Sequence, residues 1–286
     1  MPPPPSGHCT MNFTRRNKLV AGGLLIWLAL SATDLAARQA VSGSTVIAVH
    51  NFDSLVIGAD SRISVRTGDS LLAPVDTACK VVTLGRYIFA YTGFPRLCAG
   101  SDEEDCWDAL AYAREAAERS LPMSGAAEYF VRQASDAFLA ILGRLGEKHD
   151  PLIPVLVSVH AGIDAVFAGL ENDSLGLVFV TVTIRSYNRE TNSFQLDRTI
   201  LRWFAGERPL PQYHYFGHID AIRKEAGNQN LGVWFYQKGY VKGIRELIAQ
   251  QARSTPSEVG GDIDLVLLRR NGSVEWISRK ERCADR

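Results

Sequence analysis

Two apolar runs, Val46 to Val49 and Leu55 to Ala59, are separated only by "HNFDS". Neither run alternates with polar residues, and a strand that is apolar at nearly every position needs cover on both faces of its sheet. Asn, Asp and Ser between the runs favour a turn, so the pair reads as a hairpin within such a sheet. This constraint argues against an open sheet with one wet face.

The pattern recurs along the chain. Val81 to Leu84 and Tyr87 to Tyr91 form a second expected hairpin across Gly85-Arg86. Strands are expected at Val155 to His160, Ala165 to Leu170 and Leu177 to Ile184. A closing hairpin in "DIDLVLLRRNGSVEWIS" turns at Asn271-Gly272, the strongest short hairpin signal. Helices are expected over 106–119, where Cys106, Ala109, Leu110, Ala113 and Ala117 share a face, and after a capping Ser124. That second helix would bury Ala127, Phe130, Val131, Ala134, Phe138 and Ile141. Two more are expected over 217–226 and 236–252. There is no internal repeat or linker. Sheets covered on both faces, with helix pairs after the first and second strand groups, predict an α+β chain built as a four-layer αββα sandwich.

The first part of the chain stands outside that pattern. Residues 1–10 carry four consecutive prolines and no periodicity, and read as a disordered or non-native start. From Met11, Arg15, Arg16 and Lys18 precede an apolar run, Leu19 to Ala32, followed by small residues. This is the layout of a secretory signal peptide over 11–37 with cleavage after Ala37, an uncleaved membrane anchor being the alternative. Export implies a secreted or periplasmic protein in an oxidising compartment. Cys98 and Cys106 flank a polar loop and are the expected disulfide; the pairing of Cys79 and Cys283 stays open. The 286 residues hold 31 basic and 31 acidic side chains, which gives no electrostatic reason to propose a nucleic-acid partner.

Polar residues cluster at strand ends. Ser44 and Thr45 open the first run, Asp60 ends the second in "VIGADSR", Lys80 opens the third in "DTACKVVTL", and Gly93 ends the fourth in "IFAYTGF". A lysine charge lowers the pKa of a nearby base, an aspartate orients the lysine, and a backbone N–H near a glycine can hold an oxyanion. Other signals are weaker. His214 and His218 would share a face of a helix as metal ligands, but Gly217 and the aromatic surroundings favour a strand-to-helix junction. Asp262 and Asp264 form a carboxylate pair on one strand face with no second signal for glycoside chemistry. Trp107, Trp203 and Trp234 read as packing.

The stretches "GSTVIAVHNFDSLVIGADSR" and "CKVVTLGRYIFAYTG" together resemble the N-terminal part of proteasome β subunits and their HslV-like relatives, within the N-terminal nucleophile hydrolases. "VFAGLENDSLGLVFV", "YFGHIDAI" and "VGGDIDLVLLRRNGSVEWI" resemble later segments of that family, in order across residues 41–280. The resemblance implies one domain over 44–286, with 38–43 as a short propeptide. It implies a hydroxyl nucleophile exposed by autolysis, an α-amine base, and cleavage of an amide or peptide substrate without metal or organic cofactor. Aligned without gaps, the nucleophile falls on Ser44; shifted by one residue, it falls on Thr45. The carboxylate falls on Asp60, the lysine on Lys80 and the oxyanion glycine on Gly93. Homo-oligomers are implied as possible partners, and membrane contact only through an uncleaved signal. The family's aspartate and serine before its Gly-Gly are replaced here by "STPSEVGG", with Pro256 and Val259 at those places and Ser257 and Glu258 nearby. A catalytically inactive, structural or binding role on the same fold is the alternative.

Overall fold

A computed structural model describes residues 40–42, 44–67, 70, 71, 76, 78–100, 105–119, 121–205 and 210–283. The expected signal segment, and Arg38, Gln39 and Gly43 of the expected propeptide, lie outside the described residues.

The chain is mixed α+β, with two five-stranded antiparallel sheets. One sheet has the order β12-β11-β10-β7-β6: β6 (Val81–Leu84), β7 (Tyr87–Gly93), β10 (Gly162–Glu171), β11 (Ser174–Asn188) and β12 (Ser193–Phe204). The other has the order β13-β2-β3-β14-β15: β2 (Thr45–His50), β3 (Ser54–Ala59), β13 (Gln212–Gly217), β14 (Asp264–Arg269) and β15 (Val274–Ser278). Short strands β1 (Ala40–Ser42), β4 (Ser64–Thr67) and β5 (Ser70–Leu71) form a three-stranded ribbon, and β8 (Arg96–Cys98) pairs with β9 (Cys106–Asp108). Six helices occur among the described residues: α1 (Ala109–Glu118), α2 (Met123–Glu147), α3 (Leu152–Ser158), α4 (Asp220–Asn228), α5 (Leu231–Lys238) and α6 (Tyr240–Ser254).

Strand alternation sorts the apolar side chains into three clusters. Tyr87, Phe89, Phe167 and Val180 face Phe130, Ala134 and Phe138 of α2. Ile88, Ala90, Val166 and Leu177 share a second cluster with Val46, Ala48, Ile57 and Val266 of the other sheet. Ile47, Val49, Val56 and Leu265 meet Phe235, Ile244, Leu247 and Ile248 of α5 and α6. The unbroken apolar runs of β2 and β3 are therefore buried on both faces, as their composition requires.

Several expected elements shift. Val155 to His160 is not a strand: Leu152–Ser158 is helical, with Leu152, Ile153 and Leu156 buried. A short unbroken apolar run fits a buried helix as well as a strand, and Pro154 is tolerated in a first turn. Helix α1 starts at Ala109, after β9, because the Asp108 carboxylate accepts from the Leu110 and Ala111 amides. Ser124 is not the cap of α2; the helix begins at Met123 after Pro122, and the Ser124 amide and hydroxyl both donate to Glu171 Oε2. Gly239 (φ 81°) divides the expected 236–252 helix into α5 and α6. Cys98–Cys106 is bonded, and so is Cys79–Cys283, 204 residues apart.

His50 is fully buried, and its Nε2 lies 3.3 Å from Nε2 of His214, which stacks on Trp203. Burial lowers both histidines from the usual range to about 4. An unfolded chain takes up these protons below pH 6.5, whereas the folded chain refuses them until about pH 4. Stability is therefore fully present above pH 6.5 and falls as the pH drops toward 4, by up to about 3 kcal/mol per histidine. Urea unfolding at pH 7.5 and pH 5 should show this loss, and His50→Leu should shrink it. An unchanged pH difference in that variant would contradict the assignment.

Candidate active site

Asp60 follows the end of β3 and is wholly buried. Its Oδ1 accepts the Thr45 amide at 2.7 Å and the Lys80 ammonium at 3.1 Å. Its Oδ2 accepts the amides of Gly260 at 3.0 Å and Arg62 at 3.1 Å. One carboxylate thus joins the start of β2, the end of β3, the Gly260 turn and the approach to β6. Lys80, also buried, additionally donates to the Arg62 carbonyl. Burial lowers its ammonium from the ordinary lysine value to about 8, against the opposing pull of Asp60.

The segment carrying Lys80 is tied down on both sides. Cys79 is bonded to Cys283, and the Lys280 ammonium, 2.7 Å from Asp264 Oδ2, donates to the Ala78 carbonyl. Arg62 holds Asp76 through a two-pronged contact at 2.6 and 2.7 Å, and this partner lowers the pKa of the Asp76 carboxyl.

Ser44 and Thr45 part ways at the start of β2. Thr45 follows the alternation of Ile47 and Val49, and its hydroxyl donates to the His218 carbonyl at 2.5 Å. Ser44 lines a cavity of about 180 Å³ together with Thr92, Gly93, Asp164, Gly217 and His218. Asp60 and Lys80 do not line it. Gly93 (φ 86°) and Gly217 (φ 86°) hold left-handed backbone there, where glycine is favoured. A Cβ on Gly217 would meet the Ser44 carbonyl at 2.2 Å, and one on Gly93 would meet the Gly162 carbonyl at 2.4 Å. The Asp164 carboxylate accepts the Thr181 hydroxyl at 2.8 Å, and burial raises its pKa.

His218 enters the site as the residue after β13, a strand-to-helix junction as its surroundings suggest. Its amide donates to the Ser44 carbonyl at 2.7 Å, and its Nδ1 lies 2.8 Å from Glu258 Oε2. Neither His218 nor Glu258 was among the residues expected to act. The nearest sequence signals were the glycine before His218 and the altered residues ahead of Gly260-Gly261. Of the other carboxylate pair, Asp264 holds Lys280, and Asp262 precedes β14 rather than lying on it.

Two larger cavities, of about 760 and 530 Å³, lie elsewhere. The first is a groove beside Gly239 and Tyr240. In the second, Ser158 donates to the Val155 carbonyl and Asp150 caps the Leu152 amide, so neither presents an activated nucleophile. Among the described residues no group of three or more side chains is arranged to hold a metal ion. Among them too, no helix is long and apolar enough to cross a membrane.

No model of a known protein family matches this sequence, and no curated protein matches it significantly.

Removing the Asp60 charge strands a buried ammonium and three amides. Asp60→Asn should cost about 3 to 5 kcal/mol in denaturant unfolding. The double variant Asp60→Asn/Lys80→Met should lose less than the two single losses summed. Additive losses would contradict the coupling.

Proposed function

We propose that the chain is an exported N-terminal nucleophile hydrolase that cleaves amide or peptide bonds with Ser44, freed by autolysis of the Gly43–Ser44 bond. The observation that carries this reading is the division of labour at the start of β2. The Thr45 hydroxyl lies on the helix-facing side of β2 and donates to the His218 carbonyl, while Ser44 lines a cavity walled by Gly93 and Gly217.

The fold supports the same reading. Helices α1–α3 share an apolar cluster with one sheet, α4–α6 share one with the other, and the two sheets share a third, which supports reading the layers as αββα. Polar residues Ser44, Thr92 and Asp164 continue the inter-sheet faces of β2, β7 and β10 beyond their apolar stretches. The site is then the open polar end of the inter-sheet layer. Two disulfides suit an oxidising compartment.

The chemistry assigns each residue a role. Once the Gly43–Ser44 bond is cut, the new α-amine takes the Ser44 hydroxyl proton, its ordinary pKa near ~8 suiting a base at neutral pH. The hydroxyl attacks the substrate carbonyl to give an acyl-enzyme, which water hydrolyses. The Gly93 N–H supports the oxyanion. Lys80, charged at pH 7 with its pKa at about 8, acts through Asp60, whose Oδ1 it shares with the amide next to Ser44. The substrate is a peptide or simple amide, and Asp164 in the cavity wall favours a donor-bearing side chain.

N-terminal sequencing and intact mass of the exported protein test this directly. The wild-type chain should begin at Ser44. Ser44→Ala should retain the upstream residues, whereas Thr45→Ala should still be cut, with a stability loss of about 1 kcal/mol from the missing hydrogen bond. A folded wild-type chain that begins at Arg38 would contradict the proposal and favour a non-catalytic role.

A further inference from the structure

We infer that His218, oriented by Glu258, is the base that drives the cutting of the Gly43–Ser44 bond. The inference rests on the reading of Ser44 as the nucleophile and concerns a step which that reading leaves without a base. Before cleavage the Ser44 nitrogen is an amide and has no basic lone pair, so the α-amine cannot accept the hydroxyl proton. A side chain in the cavity wall can supply that function.

Three titratable side chains line the cavity with Ser44: His160, Asp164 and His218. His160 follows α3, with its Nδ1 3.0 Å from the Ile184 carbonyl. Asp164 lies within β10, opposite Thr92 and Thr181 in the two neighbouring strands, and accepts the Thr181 hydroxyl. The backbone of His218 is held directly against the start of β2: its amide donates to the Ser44 carbonyl at 2.7 Å, and its carbonyl accepts the Thr45 hydroxyl. The preceding Gly217 pairs with Thr45 in the β13–β2 ladder and lies so close to Ser44 that no Cβ fits.

Glu258 makes this histidine a directed base. A carboxylate 2.8 Å from Nδ1 holds the proton on that nitrogen and leaves the lone pair on Nε2. His218 is about one-third exposed and Glu258 only 16 % exposed, so the pair spans from the interior to the cavity. Glu258 is itself fixed. Its amide and that of Val259 donate to the Thr255 carbonyl, and the Gly260 amide donates to Asp60. The carboxylate that gathers the site also positions the segment that orients its histidine.

The step balances without any co-reactant but water. Ser44 Oγ attacks the Gly43 carbonyl carbon while His218 Nε2 takes the hydroxyl proton. The C–N bond then breaks, and the proton passes from His218 to the Ser44 nitrogen. Gly43 is left as an ester on Oγ beside a free α-amine. Water, giving a proton to His218, adds to that ester; the C–O bond to Oγ breaks, and the proton returns to Oγ. The products are a Gly43 carboxylate and a Ser44 N-terminus, whose amine takes over as the base for later turnovers. His218 is the catalytic group of this step, and Glu258 acts through it as a positioning residue.

The test follows the cut in the full chain by intact mass over time, with circular dichroism reporting the fold. His218→Ala should slow the cut at least about 100-fold, and added imidazole should restore a substantial part of the rate. Glu258→Gln should slow it by a smaller factor, about 10-fold. Wild-type chain cut at Gly43–Ser44, together with a folded His218→Ala chain cut equally fast, would overturn the inference and leave the Ser44 reading standing. A folded His218→Ala chain that is slow but indifferent to imidazole would assign His218 a structural role and also overturn it. A wild-type chain that is never cut at this bond would remove both.

Discussion

A single buried carboxylate, Asp60, holds four separate parts of the chain together. It accepts the amides of Thr45, Arg62 and Gly260 and the ammonium of Lys80. A lysine 2 % exposed is tolerated because its charge is met at 3.1 Å by Asp60 and it also donates to the Arg62 carbonyl. Without Asp60 the start of β2 loses its anchor, the Gly260 turn loses its acceptor, and a buried charge stands alone. The geometry of Ser44, one residue before an amide that Asp60 holds, therefore depends on an interaction that lies outside the cavity itself.

The tethers around Lys80 belong to the same constraint. Cys79–Cys283 and the Lys280 contacts to Asp264 and Ala78 bind the end of the described chain to the residues just before β6. A cross-link spanning 204 residues removes much of the freedom of the unfolded chain. Its position next to the one lysine of the site ties the stability of the fold to the placement of that charge.

Much of this was legible in the sequence. The apolar runs of β2 and β3, buried on both faces, and the Asn271-Gly272 hairpin follow from composition and turn chemistry alone. Asp60, Lys80 and the two hydroxyls are strand-end polar residues, and the structure brings Asp60, Lys80 and the Thr45 amide into contact. What stayed hidden has physical causes. The run "LIPVLVS" is apolar at almost every position, so its periodicity cannot separate helix from strand. Strand β12 is largely exposed and interrupts its apolar residues with Asp197, Arg198 and Arg202, so it lacks the unbroken apolar signature of its partners. The choice between Ser44 and Thr45 depends on which way each side chain points, and alternation along β2 decides that only once its faces are known. The His218–Glu258 contact joins residues forty positions apart in sequence, which no local pattern encodes.

The central claim is that Ser44, and no neighbouring hydroxyl, reacts at a free N-terminus. It is tested most directly by treating the protein with a peptide β-lactone and locating the adduct by tandem mass spectrometry. The account predicts an ester on the Ser44 hydroxyl of a peptide that begins at Ser44. An adduct on Thr45, or one on a chain still carrying residues before Ser44, would contradict it.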